Sequence, residues 1–172
     1  MARIALPPDQ DHFLYVMNKV GSPRLNKRLN DGWDAQYFND STVTPREREA
    51  ARIRMAHHVG CASCIAFRAA HDLPAFSDQE IPEELYENIF NYRSWPGYTE
   101  RERLIIEFAE RYSDDYRGMV EDEELWTRLR ASFSEVELAD LCLLCGTWES
   151  ATRMYHLLVG IDVACAVPAV AK

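Results

Sequence analysis

The sequence predicts an all-α fold, and three observations carry that expectation. Apolar residues recur at three- and four-residue intervals, as with Leu104, Ile105, Phe108 and Tyr112. A Ser/Thr-x-x-Glu capping box punctuates the chain four times, pairing Thr44 with Glu47, Ser77 with Glu80, Thr99 with Glu102 and Ser134 with Glu137. No stretch alternates apolar and polar residues for long enough to predict a strand. Together these give a helical bundle of about seven or eight helices, occupying 1–172 as one domain with its core in about 40–165.

Residues 9–20 carry Phe13, Leu14, Val16, Met17 and Val20, a short amphipathic helix ended by Gly21-Ser22-Pro23. In 24–38, Leu25, Leu29, Trp33 and Phe38 are spaced for a second helix. Thr44 caps a third, with Pro45 at the first helical position and Ala50, Ile53 and Ala56 along one stripe. Arg46, Arg48, Arg52 and Arg54 lie largely off that stripe, and Gly60 is placed to end the helix. A further helix opens at Cys61-Ala62-Ser63-Cys64 and is closed by Pro74. Ser77 leads into PEELYENIFNYRSW, where Leu85, Ile89 and Phe90 form an apolar face, and Pro96-Gly97 makes a turn. Thr99 starts a strong amphipathic helix, 121–133 forms another, and Ser134 starts the longest apolar helix, 138–159, ended by Gly160. Trp126, Trp148, Phe108 and Phe133 are expected in the core. Thr44-Pro45-Arg46-Glu47-Arg48 and Thr99-Glu100-Arg101-Glu102-Arg103 share a form that raises the question of an internal duplication.

Composition narrows the function. The chain has 172 residues and a net charge of -9, from 19 Lys+Arg against 28 Asp+Glu, which works against binding nucleic acid or an anionic membrane. No apolar run is long enough to span a bilayer, and MARIALPPDQDH lacks the apolar core of a secretion signal, so a cytoplasmic protein is expected. Five cysteines, an odd number, argue against a disulfide-stapled scaffold. In a reducing compartment a C-x-x-C pair is more often redox-active or metal-binding.

Cys61 and Cys64 stand at i and i+3 in the first turn of a helix, where unpaired backbone N–H groups favour a thiolate. Their spacing allows a short disulfide or joint metal ligation, and the redox dithiol is the favoured reading over two small core residues. Helix-start placement alone would make Cys61 the nucleophile. Cys142 and Cys145 form a second C-x-x-C, but mid-helix between leucines, and read as core packing, as does Cys165. A zinc site built from both pairs is disfavoured because the second lacks a knuckle turn; no metal or cofactor is expected. Glu49, twelve positions before Cys61, shares a helix face with His57, and both could move protons near a thiol; the plainer expectation for Glu49 is a solvated glutamate among arginines. His58 diverges from His57. Arg68 and His71, at i+4 and i+7 from Cys64, fall on the cysteine face if the helix continues; Arg68 would stabilise a thiolate without exchanging protons. His12 and His156 read as ordinary packing or surface residues.

E-x10-G-C-x-x-C, its glutamate closing an R-E-R-E run and its cysteines opening a helix, with FSEVELADLCLLCGTWESATRMYHLLVGID late in the chain, resembles the alkylhydroperoxidase D-like branch of the carboxymuconolactone decarboxylase family. That resemblance implies an all-helical fold assembling as trimers or hexamers. It implies a thiol peroxidase acting on alkyl hydroperoxides and recycled by a dithiol reductant, a lipoyl or thioredoxin-like protein. It makes Cys64 the peroxidatic thiol, Cys61 the resolving thiol and Glu49 the start of a proton relay. The family usually has histidine at the position of Arg68, and in some members at that of Ser63, so His57, His71 or Arg68 would have to compensate. The alternatives are a non-catalytic, ligand-binding or stress-related member of the same family, or a metal-binding protein.

Overall fold

A computed structural model describes residues 2–37, 41–72 and 81–160 of the protein, and these contain helices and turns with no strand. The order is α1 (His12–Tyr15) running into a π-helical turn (Val16–Val20), α2 (Pro23–Tyr37), α3 (Pro45–His58), α4 (Ala62–Ala66) and α5 (Ala69–Asp72). After them come α6 (Glu83–Glu87) with a 3-10 turn (Ile89–Asn91), α7 (Glu100–Asp114), α8 (Tyr116–Glu121), α9 (Glu123–Ser132) and α10 (Glu135–Val159). The segments outnumber the expected helices because several are single turns, two of them around the C-x-x-C motif.

Three of the capping boxes form as the sequence predicts. At α3, Thr44 is extended, its side chain accepts from the Glu47 N–H, and Glu47 accepts from the Thr44 N–H at 2.9 Å. The same reciprocal bonds start α7 at Thr99/Glu102 and α10 at Ser134/Glu137, each satisfying donors that a helix N-terminus otherwise leaves open. The box at Ser77 lies outside the described residues, as do Phe38, Pro74 and the tail with Cys165.

Helices α3 and α7 pack side by side in parallel, both N-termini at the same end, and form the centre of the packing. Ala51 and Met55 face a core shared with Leu104, Phe108, Leu125, Leu129, Leu141 and Trp148, while Ala50 and Ile53 face Leu85, Ile89, Tyr92 and Ile106. Thus α3 is enclosed on two sides although its sequence is dominated by charge, and Glu47, Arg48, Glu49 and Arg52 are all buried. Burying charges is tolerable only where they are paired. Two of the pairs are reciprocal: Arg46 of α3 donates to the capping glutamate Glu102 of α7, and Arg101 of α7 donates to the capping glutamate Glu47 of α3 at 2.5 Å. Arg101 also reaches the third capping glutamate, Glu137, at 2.5 Å. The two segments that look alike in sequence are therefore each other's partners at one end of the bundle.

Some expectations shift. Leu25 is 66% exposed, and Asn26 takes the inward position on α2. Phe90, expected on the apolar face with Leu85 and Ile89, lies in the 3-10 turn and is exposed, edge-on to His57 and under the Arg54 guanidinium. The 121–133 helix begins only at Glu123, because Asp122 caps α9 by accepting from the Leu125 N–H at 2.9 Å. Trp126 is only partly buried against the core. No described helix is long and apolar enough to cross a membrane.

Candidate active site

The end of α3 sets up the site. Val59 closes the helix, and Gly60 adopts φ +67°, a left-handed conformation that reverses the chain and delivers Cys61 to the start of α4. Cys61 is extended (φ -85°, ψ 94°) and acts as the N-cap, its sulfur accepting from the Cys64 N–H at 3.3 Å. Cys61 and Cys64 are joined in a disulfide. The two sulfurs differ in access. Cys61 is 0% exposed, whereas Cys64 is half-buried and lines a cavity of about 540 Å³.

That cavity lies between the α3–α4 corner, the N-terminal helices and α10. Phe13, Met17, Trp33, Met55, Phe67 and Trp148 give it a largely apolar wall, with Ser63 beside Cys64. The Phe13 ring meets Trp33 and Tyr155 edge-on, at 6.1 and 5.3 Å between centroids, which fixes the N-terminal helices over the cavity.

Behind Cys64 stands a buried polar cluster centred on Glu49, which is 1% exposed and so not the solvated glutamate that charge density suggested. Its carboxylate takes a bidentate pair from Arg52, at 2.6 and 2.9 Å, the Tyr86 hydroxyl at 2.8 Å and the Ala69 N–H at 3.2 Å. Arg52 in turn donates to the carbonyls of Cys64 (2.6 Å) and Phe67 (2.7 Å) and itself lines the cavity. Burial and the neighbouring Glu49 charge push the Tyr86 hydroxyl far above its ordinary range, keeping it a neutral donor. Glu49 and Arg52 are thus joined to the backbone of the C-x-x-C turn, while Glu49 is not itself among the residues lining the cavity.

Two residues of this cluster escaped the sequence reading. Arg52 had a usable signal, since Glu49 and Arg52 at i, i+3 are placed for a helical ion pair. Tyr86 had none, because its approach depends on how α6 packs.

Arg68 and His71 are not on the cysteine face. That expectation assumed an unbroken helix, but α4 ends at Ala66, Phe67 is extended (φ -69°, ψ 136°), and α5 restarts out of phase. Arg68 lies over the Tyr86 ring at 4.0 Å and pairs with Glu83 at 2.6 Å. It packs the back of the Tyr86–Glu49 contact and does not line the cavity. His71 is 87% exposed and bonds Asp72 at 2.8 Å. His57 packs against Phe90, and burial, with the Arg54 and Arg68 charges, holds its pKa below the usual histidine range. In the second C-x-x-C, Cys145 is buried and its thiol is pushed well up by desolvation, in keeping with core packing; Cys142, expected in the core, is exposed on the outer face of α10.

No family model matches this sequence, and no curated protein does. The fold is AhpD-like. Over 98% of this chain and all of the other, it matches a crystal structure from Agrobacterium tumefaciens, that of a protein of unknown function proposed to be the antioxidant defence protein AhpD, with a TM-score of 0.66 and 20% identity. At that identity the likeness is one of fold.

Proposed function

We propose that this protein is a thiol peroxidase whose redox pair is Cys61–Cys64. The observation that carries the reading is the asymmetry of the pair: joined in a disulfide, one sulfur is enclosed and the other opens onto an apolar cavity. In the reduced protein the Cys64 thiolate attacks the terminal oxygen of R–O–O–H, and the O–O bond breaks. Cys64 becomes a sulfenic acid, and the alkoxide takes up a proton and leaves as the alcohol. The Cys61 thiolate then attacks the Cys64 sulfur, water departs and the disulfide closes. A dithiol protein, of the lipoyl or thioredoxin-like class, returns two electrons and two protons. Burial of Cys61 and exposure of Cys64 to the cavity favour this division of labour over the one that helix-start placement alone suggests.

The surroundings of Glu49 suit it to two parts in the reaction. Its hydrogen bond with Tyr86 gives it a proton-bearing neighbour, as a relay needs. Its bidentate hold on Arg52 fixes the Cys64 and Phe67 carbonyls, which positions the thiol. Assembly into trimers or hexamers is also part of the proposal, supported by the exposed Val136, Leu143 and Leu157, which lie seven and then fourteen residues apart along one face of α10.

The test is peroxide consumption by reduced protein. Cys64→Ser should abolish it, and unchanged turnover in that variant would overturn the assignment. One observation favours a second reading, ligand binding without catalysis: no histidine is among the residues lining the cavity. In that case the reduced wild-type protein binds an apolar hydroperoxide without consuming it.

A further inference from the structure

We infer that the cavity beside Cys64 selects uncharged or cationic apolar ligands and rejects apolar anions such as fatty-acid carboxylates. The inference deepens the peroxidase reading by naming its substrate class. The selectivity itself is a property of binding and is read without turnover.

Among the described residues, the charged side chains on the cavity wall are Asp11, Asp34, Glu149 and Arg52. A substrate carboxylate would need Arg52 as its counter-charge, and Arg52 is already committed. Four of its N–H groups go to the two oxygens of Glu49 and to the carbonyls of Cys64 and Phe67. Its charge is matched by a carboxylate buried behind it, so turning toward a ligand would leave Glu49 buried without its partner. Glu149 has Arg153 on its outer side. Asp11, just before α1, and Asp34, on α2, reach the cavity and are exposed, so they stand at its mouth.

The wall is therefore apolar with a negative rim. Phe13, Trp33 and Trp148 supply faces for an alkyl or aryl body and for a cation held against an aromatic ring. An entering carboxylate leaves its hydration for like charges. At the intermediate effective dielectric of a protein surface, that is worth at least about fivefold in affinity.

The experiment uses the oxidised protein, in which the disulfide prevents turnover, and isothermal titration with three probes that share one body: 4-phenylbutan-1-ol, 4-phenylbutylamine and 4-phenylbutanoate. The alcohol and the amine should bind, the amine more tightly. The carboxylate should bind at least about fivefold more weakly than the alcohol, with the gap narrowing as salt is raised. The double variant Asp11→Asn/Asp34→Asn, whose changes fall on exposed side chains, should bring the carboxylate toward the alcohol. Carboxylate binding as tight as that of the alcohol overturns the inference, and so does the failure of all three probes to bind. Failure of the peroxidase reading shows separately, as reduced protein that binds but does not consume neutral cumene hydroperoxide.

Discussion

At the scale of single residues, Arg52 connects the chemistry of the site to its frame. Glu49→Gln keeps the shape but leaves the Arg52 guanidinium buried without its counter-charge, a change that costs about 3–5 kcal/mol where a buried pair is broken. Arg52→Lys keeps the charge but loses the fork that reaches two carbonyls and a carboxylate at once. Both variants should lower kcat/KM for a hydroperoxide. Their pH–rate profiles separate the two roles of Glu49. Positioning predicts the same profile in both variants at a lower rate, whereas a proton relay predicts a displaced limb in Glu49→Gln alone. The thiol pair itself was legible, because C-x-x-C after a glycine is a local pattern. The partners of Glu49 were less so: Tyr86 comes from α6 and the Ala69 N–H from beyond the break after Ala66, and neither contact has a local spacing to betray it.

At the scale of elements, the corner between α3 and α4 depends on one backbone conformation. Gly60 sits at φ +67° with nothing within 4 Å of where a Cβ would stand, so substitution there meets backbone strain and no steric clash. Gly60→Ala should destabilise the protein by about 1–2 kcal/mol in urea titration, the cost of placing an L-residue in the left-handed region. Gly60→Asn should cost less, since asparagine tolerates that region. A Gly60→Ala variant as stable as the wild type would mean that the corner relaxes to another path. Helix starts were readable from the capping boxes, since both halves of each box lie within four residues. Helix continuity was not. The interruption after Ala66 carries no glycine or proline, and Arg52 stabilises it from outside by capturing the Cys64 and Phe67 carbonyls.

At the scale of the whole molecule, several groups hold pKa values below their ordinary ones. His57 and His156 are lowered chiefly by burial, and at His57 the Arg54 and Arg68 charges add to it. Glu137 falls from 4.5 to about 2 through the Ser134 backbone bond, Arg101 and the Ser134 hydroxyl. Glu110 is lowered by its bonds to Arg54 and Tyr92, which outweigh its desolvation. A folded pKa below the unfolded one means that the stabilisation is complete above the unfolded value and is lost as pH falls through the folded value. Stability should therefore decline in two stages on acidification. The first begins below the histidine value of 6.5, and the second runs from 4.5 toward about 2. Urea midpoints followed from neutral pH to roughly pH 3 check this, and a flat profile would contradict it. The all-α class was legible because helical periodicity and caps agree along the chain. The burial of the charge-rich α3 was not, since its partners Glu102 and Arg101 lie 56 and 54 positions from Arg46 and Glu47.

That separation gives the reciprocal arginine–glutamate exchange a meaning in time as well as in space. A ribosome adds ~5–20 residues per second, so Glu47 emerges several seconds before the Arg101 that will hold it. In that interval the newborn chain carries α3 and both sulfurs without the helix that packs against α3. The cavity wall from α10 comes later still. A nascent chain paused between the two matching segments has its C-x-x-C pair translated before α7 packs on α3 and before α10 completes the cavity beside Cys64.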